Sequence, residues 1–200
     1  MRLALLLLSV VALMAIGAPA YSQYIYMDVN GSGTCTSADV LSASTTAVDI
    51  YLDTTHNANG STATCVDGTS PLNMFSYDLI LSYSGTGSVT FNSYTHNPAL
   101  LNYGILSAFT VTGNHVGVGY SKSGGADAPN LYKLGTFNVT VSGSPVLTFE
   151  SLSPDASIPS TFTGFGSQCP GTVFTGSEVL GFDFVDNCGT ASGTPVESTT

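Results

Sequence analysis

The feature that most constrains this chain is the period of its apolar residues. After residue 20 they recur at every second position, in short runs broken by Gly, Pro, Asn and Ser. Phe75-Ser76-Tyr77-Asp78-Leu79-Ile80-Leu81-Ser82-Tyr83 shows the pattern at length. A period of two sends successive side chains to opposite faces of a strand, so one face can be buried while the other stays polar. The pattern predicts strands at 24–27, 48–53, 75–83, 89–91, 109–111, 116–120, 132–141, 146–149 and 179–185. Turn signals separate them at Ser84-Gly85-Thr86-Gly87, Gly113-Asn114 and Gly143-Ser144-Pro145. No long stretch combines a helical period with good helix formers. Short strands rich in Val, Thr, Tyr and Phe specify an all-β fold with very little helix, an antiparallel β-sandwich of jelly-roll or Greek-key type.

Charge narrows the function. The chain carries 13 Asp and Glu against 3 Lys and Arg, a formal net charge of −10. It cannot build the basic face that neutralises phosphates, which excludes nucleic acid as a partner. Attraction to anionic lipid is excluded for the same reason. Arg2, the apolar run Leu3 to Ile16, and the small residues Ala18 and Ala20 together have the form of a signal peptide cleaved after Ala20. The run is short for a bilayer span, and no stop-transfer pattern follows, so no membrane insertion is expected after cleavage. Removing Arg2 leaves Lys122 and Lys133, and the charge becomes 2 − 13 = −11. The expected organisation is a signal peptide over 1–20, an N-terminal arm over 21–45, a sandwich domain over 46–188 and a polar tail over 189–200. The expected location is secreted or cell-surface.

Export makes disulfides the default for Cys35, Cys65, Cys169 and Cys188, since no pair has C-x-x-C spacing. Three pairings are possible. The local one, Cys35–Cys65 with Cys169–Cys188, is favoured because each bond closes a loop rich in Gly, Ser and Thr. Loops of about 20–30 residues would contribute roughly 3 kcal/mol each in the chain-entropy model.

The sharpest local feature is Asp28-Val29-Asn30-Gly31-Ser32-Gly33-Thr34-Cys35-Thr36-Ser37-Ala38-Asp39. Oxygen-bearing side chains fall at positions 1, 3 and 5 (Asp28, Asn30, Ser32), and Gly33 stands at position 6, where the chain must turn. The carbonyl of Thr34, the hydroxyl of Thr36 and the carboxylate of Asp39 complete a set of oxygens around one point. That is the donor set of a calcium ion, with two formal charges and hence modest affinity. Ser37 is placed to cap a short helix over 38–43. The stretch resembles a calcium-binding half-repeat of dockerin domains: Asp28-Val29-Asn30-Gly31, Gly33, Ser37, Asp39 and Val40-Leu41 are in pattern. It departs in having Ser32 where dockerins have Asp, and no second half-repeat occurs. Asp53-Thr54-Thr55-His56-Asn57-Ala58 lacks the Gly and has Thr64 at position 12.

The remainder is similar in strand grammar to cohesin-type and carbohydrate-binding-type sandwiches. The similarity rests on Ala47-Val48-Asp49-Ile50-Tyr51-Leu52, on residues 75–83, on Gly117-Val118-Gly119-Tyr120-Ser121 and on Lys133 to Val141. It implies non-enzymatic recognition or scaffolding, with an extracellular or cell-surface protein as partner. One alternative is a carbohydrate-binding module. With Trp absent, polysaccharide would then have to stack on Tyr51, Tyr77, Tyr83, Tyr94, Tyr103 and Tyr120. A second alternative is a structural component of an extracellular layer. No catalytic residue emerges. G-x-S-x-G, H-E-x-x-H and P-loop motifs are absent. His56, His96 and His115 sit at turns, and an Asp49–Asp78 carboxylate pair has only residue type in its favour. Phe162 and Phe165 are expected to anchor the Pro- and Gly-rich segment 151–171 onto the sandwich.

Overall fold

A computed structural model describes residues 23–57, 60–65, 68–160, 163–167 and 182–185. The signal segment, Phe162, Cys169, Cys188 and the tail 189–200 lie outside the described residues. Among the described residues eight strands follow one another: β1 (Gln23–Asp28), β2 (Ala47–Asn57), β3 (Met74–His96), β4 (Tyr103–Thr112), β5 (His115–Lys122), β6 (Leu131–Phe149), β7 (Gly164–Ser167) and β8 (Phe182–Val185). No helix occurs among the described residues. The sheet order is β4-β5-β3-β6-β2-β1-β8, with β7 also paired to β3. Pairing is antiparallel except between β1 and β8, which run parallel. The fold is all-β, as the period of two requires.

Two expected turns are not turns. Ser84–Gly87 lies inside β3, and Gly143–Pro145 lies inside β6. The reason is tertiary: these segments pair with each other, Gly85 opposite Pro145 and Gly87 opposite Gly143. Gly87 has φ 126° and Gly143 φ 70°. A Cβ on Gly87 would collide with the Ser142 carbonyl, and one on Gly143 with the Thr86 carbonyl. Two glycines facing each other let the strands approach and change direction together, where one glycine segment alone would have reversed the chain. In consequence β3 serves both halves of the molecule. Its first half pairs β5 through Ser76–Ser82, and its second half pairs β6 up to His96. The hairpin at Gly113-Asn114 forms as expected between β4 and β5, with Gly113 at φ 60°.

Alternation sets the core. Ile25 and Met27 of β1, Val48, Ile50 and Leu52 of β2, and Leu79 and Leu81 of β3 point to one interior with Val116, Val118, Phe137 and Phe149. Phe165 is buried in the same core, as expected of an anchor. On the opposite face of β5, Gly117 and Gly119 offer no side chains. The segment after β6 lies there: a Cβ on Gly117 would strike Ile158 and press on Ser160. Thr163 fastens this strap, its Oγ1 accepting from the Ile80 amide at 2.9 Å and donating to the Glu150 carbonyl at 2.6 Å.

Candidate functional site

The loop 28–39 closes on two buried carboxylates. Asp28 is 1% exposed and Asp39 0%. Asp28 Oδ1 accepts from the amides of Asn30 (3.0 Å) and Gly31 (2.8 Å), and Oδ2 from Gly33 (2.5 Å). Asp39 Oδ1 accepts from Val29 N at 3.0 Å and Asn30 N at 3.4 Å. Its Oδ2 accepts from the amide (2.8 Å) and hydroxyl (3.0 Å) of Thr36. The Asn30 amide is shared, so the two carboxylates lie side by side. Burial pushes the Asp39 carboxyl upward, but the donors from Thr36, Val29 and Asn30 outweigh it and hold it below the ordinary range. No short helix follows the loop. Asp39 turns its carboxylate back onto Thr36 N while its own amide donates to the Thr36 carbonyl (3.1 Å), and Val40 N bonds Ala38 O, so the chain makes turns at 38–43 instead.

The other expected ligands ring this pair. Asn30 Oδ1 accepts from Ser32 N (2.9 Å), Asn30 Nδ2 donates to Thr36 Oγ1 (3.3 Å), and Ser32 Oγ donates to the Thr34 carbonyl (2.9 Å). Among the described residues no group of three or more His, Cys, Asp or Glu gathers in one place. The acidic count at this loop is therefore the two that the spacing indicated. The three described ion pairs engage Asp53, Asp127 and Asp49, and none reaches Asp28 or Asp39. All four oxygens of the two carboxylates accept donors from the loop itself, chiefly its backbone amides.

The loop rests on an aromatic stack that periodicity alone did not single out. Tyr26 lies between Tyr24 and Tyr51, with ring centroids 5.8 Å and 5.2 Å away and planes tilted by 22° and 8°. Its hydroxyl donates to the Gly33 carbonyl at 2.8 Å. Burial raises its pKa, with Tyr24 and Tyr51 adding to the effect. The alternation of Tyr24, Tyr26 and Asp28, on the face of β1 opposite Ile25 and Met27, was the available signal.

The six candidate ligand-face tyrosines separate into three environments. Tyr51 is half-buried in the stack just described. Tyr83 is half-buried against Phe91, centroids 6.4 Å apart. Tyr77 is buried, and Tyr94, Tyr103 and Tyr120 surround it together with His96. The Tyr77 hydroxyl is 2.6 Å from His96 Nδ1, and the His96 ring stacks on Tyr120 at 4.3 Å. Burial lowers the His96 pKa. The faces of Tyr26, Tyr77 and Tyr120 are thus turned on neighbouring rings.

His56 is the last residue but one of β2, with Nδ1 3.2 Å from Asp53 Oδ2, and His115 opens β5 after the hairpin turn. Asp49 and Asp78 are not neighbours, because β6 lies between β2 and β3 in the sheet. Asp49 takes Lys133 Nζ (2.6 Å) and Thr136 Oγ1 (2.6 Å). Asp78 lies beneath the strap beside Ser107 and Ser160, and burial raises its pKa while those hydroxyls offset part of the rise. Its Oδ1 accepts no hydrogen bond from any described residue.

Four of the exposed large hydrophobic residues fall on or just before β4. β4 pairs only with β5 among the described strands. Register shifts fall between Ile105 and Ser107 and again before Thr110. The first turns two consecutive residues outward, so Ile105 is 69% and Leu106 54% exposed. Leu101, 67% exposed, precedes them, and Val111 follows on the same strand. Comparison with family models, curated proteins and solved structures finds no match to this chain.

Proposed function

We propose that this protein is an exported, calcium-stabilised recognition module of cohesin-like type. It binds an extracellular or cell-surface protein and catalyses no reaction. The observation that carries the reading is the pair of consecutive exposed apolar residues Ile105 and Leu106 on the edge strand β4, with Leu101 exposed shortly before the strand begins. Exposed apolar side chains on an acidic chain suit a protein partner, and an edge strand offers backbone donors and acceptors besides. Polysaccharide makes a different demand, open aromatic faces, and most of the tyrosine faces here are engaged by other rings. Calcium enters through Asp28 and Asp39, whose paired charges it would neutralise. Asn30, Ser32, Thr34 and Thr36 supply the neutral oxygens. When bound, the ion would fasten the loop onto the Tyr26 hydroxyl and the end of β1.

The test compares the wild-type chain with Ile105→Glu/Leu106→Glu in pull-downs from the source secretome, beside pull-downs on insoluble glycans. The expected result is a saturable protein partner retained by the wild type and lost by the variant, with no glycan retention. Glycan binding that survives the double substitution supports the polysaccharide alternative. Calcium-dependent self-association supports a structural component of an extracellular layer. Either outcome overturns the proposal.

A further inference from the structure

We propose that Tyr77 and His96 form a redox pair, through which this protein takes single oxidising equivalents from oxygen-centred radicals of the peroxyl class. The two residues stand 19 apart on β3, with the Tyr77 hydroxyl 2.6 Å from His96 Nδ1. A straight strand at ~3.3 Å per residue would hold them about 60 Å apart. They meet because β3 changes direction at Gly85 and Gly87, both at positive φ. The hydrogen bonds around the pair run in one direction. A carbonyl only accepts, so the 3.3 Å contact of His96 Nε2 with the Leu100 carbonyl places the ring proton on Nε2. Burial lowers the His96 pKa and keeps the ring predominantly neutral at pH 7. Nδ1 then carries a lone pair, to which the Tyr77 hydroxyl donates. The Tyr94 hydroxyl, 3.1 Å away, donates in turn to the Tyr77 oxygen.

A phenol that loses an electron becomes a strong acid, so the phenolic proton must leave with the electron. Tyr77 cannot shed it beforehand, because burial holds its pKa far above the ordinary value. His96 Nδ1 is already in place to receive it. One electron passes from Tyr77 to the peroxyl radical, which takes a proton from solvent and becomes a hydroperoxide. The Tyr77 O–H bond breaks and its proton forms an N–H bond at His96 Nδ1, leaving a neutral tyrosyl radical and an imidazolium. The Tyr120 ring, stacked on His96 at 4.3 Å, presents its π face to that cation. A one-electron reductant of the thiolate or enediol class restores the pair, and the proton returns to the phenolic oxygen. The way to the surface is aromatic. Tyr120 and Tyr103 are half-buried, with centroids 5.7 Å and 6.2 Å from Tyr77, which is itself 1% exposed. The chain has no Trp, so tyrosine is its most readily oxidised aromatic side chain. The charged groups that act on the cluster are the Lys122–Asp127 pair beside Tyr103 and, on Tyr94, Asp49. A spin held at Tyr77 is shielded from other chains, so two radicals do not couple there into dityrosine.

The experiment is pulse radiolysis of the exported, folded full chain with trichloromethylperoxyl radicals, followed by transient absorption and freeze-quench electron paramagnetic resonance. The expected result is a long-lived tyrosyl radical that forms more slowly in heavy water. Tyr77→Phe should lose this signal and give dityrosine-linked dimers in its place. His96→Gln keeps a hydrogen-bonding partner for the Tyr77 hydroxyl but offers no base. It should match the wild type in circular dichroism, form the radical more slowly and lose the isotope effect. A radical signal that survives Tyr77→Phe, or an isotope effect unchanged in His96→Gln, overturns the inference. A wild type that forms dityrosine dimers as readily as Tyr77→Phe overturns it equally.

Discussion

Asp39 and Asp78 are both nearly inaccessible carboxylates, yet their surroundings drive them in opposite directions. Asp39 sits in a loop whose backbone turns three amides and a hydroxyl toward it. Asp78 sits on a strand whose own amides and carbonyls are committed to β5 and β7, beside two glycines, Gly119 and Gly164, that bring no side-chain donors, and only the hydroxyls of Ser107 and Ser160 offset its burial. Burial raises both; only in the loop are there enough donors to reverse it. The difference shows that a buried acid is tolerated in two ways here. A loop can reshape its backbone around an anion, whereas a sheet position must hold the acid against a small neighbour and favour its protonated form.

The largest expected effect breaks the loop side of this comparison. Asp39→Ala would leave the amides of Val29 and Thr36 without their acceptor, and about 3 kcal/mol should be lost in urea unfolding. A loss under about 1 kcal/mol would show that the carboxylate does not organise the loop. Calcium should act at the same place. At a hundredfold excess over its Kd it should add about 2.7 kcal/mol. EDTA should remove that gain, read as melting temperature, and Asp28→Ala should abolish the response. A melting temperature indifferent to EDTA would exclude the ion.

On the sheet side, Gly119→Ala would drive a methyl group into the Asp78 carboxylate and crowd Ser107. Overpacking of this kind costs about 1–3 kcal/mol. Asp78→Ala in the same chain should recover part of that loss, and strictly additive losses would show that the two do not press on each other.

The pH dependence separates the two acids by sign. The folded pKa of Asp39 lies below its ordinary 3.8, so its contribution is present above that value and lost as pH falls through the folded one. For Asp78 the folded value is raised. Its contribution is complete below 3.8 and lost as pH rises through the folded value. Asp78→Asn should therefore stabilise the protein at pH 7 and have no such benefit near pH 3. An equal effect at both pH values would refute the raised pKa. The smallest change is expected at the half-exposed Lys133–Asp49 pair, where Lys133→Met should alter stability by less than about 1 kcal/mol.

Much of this fold was legible along the chain, because a period of two is a local property that survives any register. Ile25 and Met27, Val48, Ile50 and Leu52, and Leu79 and Leu81 all point inward as their alternation required. The β4–β5 hairpin was legible too, since Gly113 supplies the positive φ of a tight turn by itself. The glycines at 85, 87 and 143 were not. Gly in a strand and Gly in a turn have the same local preference, and only the pairing of β3 with β6 decides between them. The convergence of Asp28 and Asp39 followed from spacing, because a loop of that length with Gly33 at its bend returns on itself. The Tyr24–Tyr26–Tyr51 stack beneath it needed the β1–β2 register, and the environment of Asp78 needed a strap more than seventy residues away.

The sequence alone thus determined the all-β class, the inward faces of β1, β2 and the first half of β3, and the acidic loop, all of which depend on neighbours within about a dozen residues. The tertiary structure decided what depends on distant partners. It set the continuity of β3 and β6, the ring-on-ring burial of the tyrosines and the paired outward turn of Ile105 and Leu106. It also set the opposite fates of Asp39 and Asp78, since the donors and neighbours that shift a carboxylate are assembled only when the strands meet.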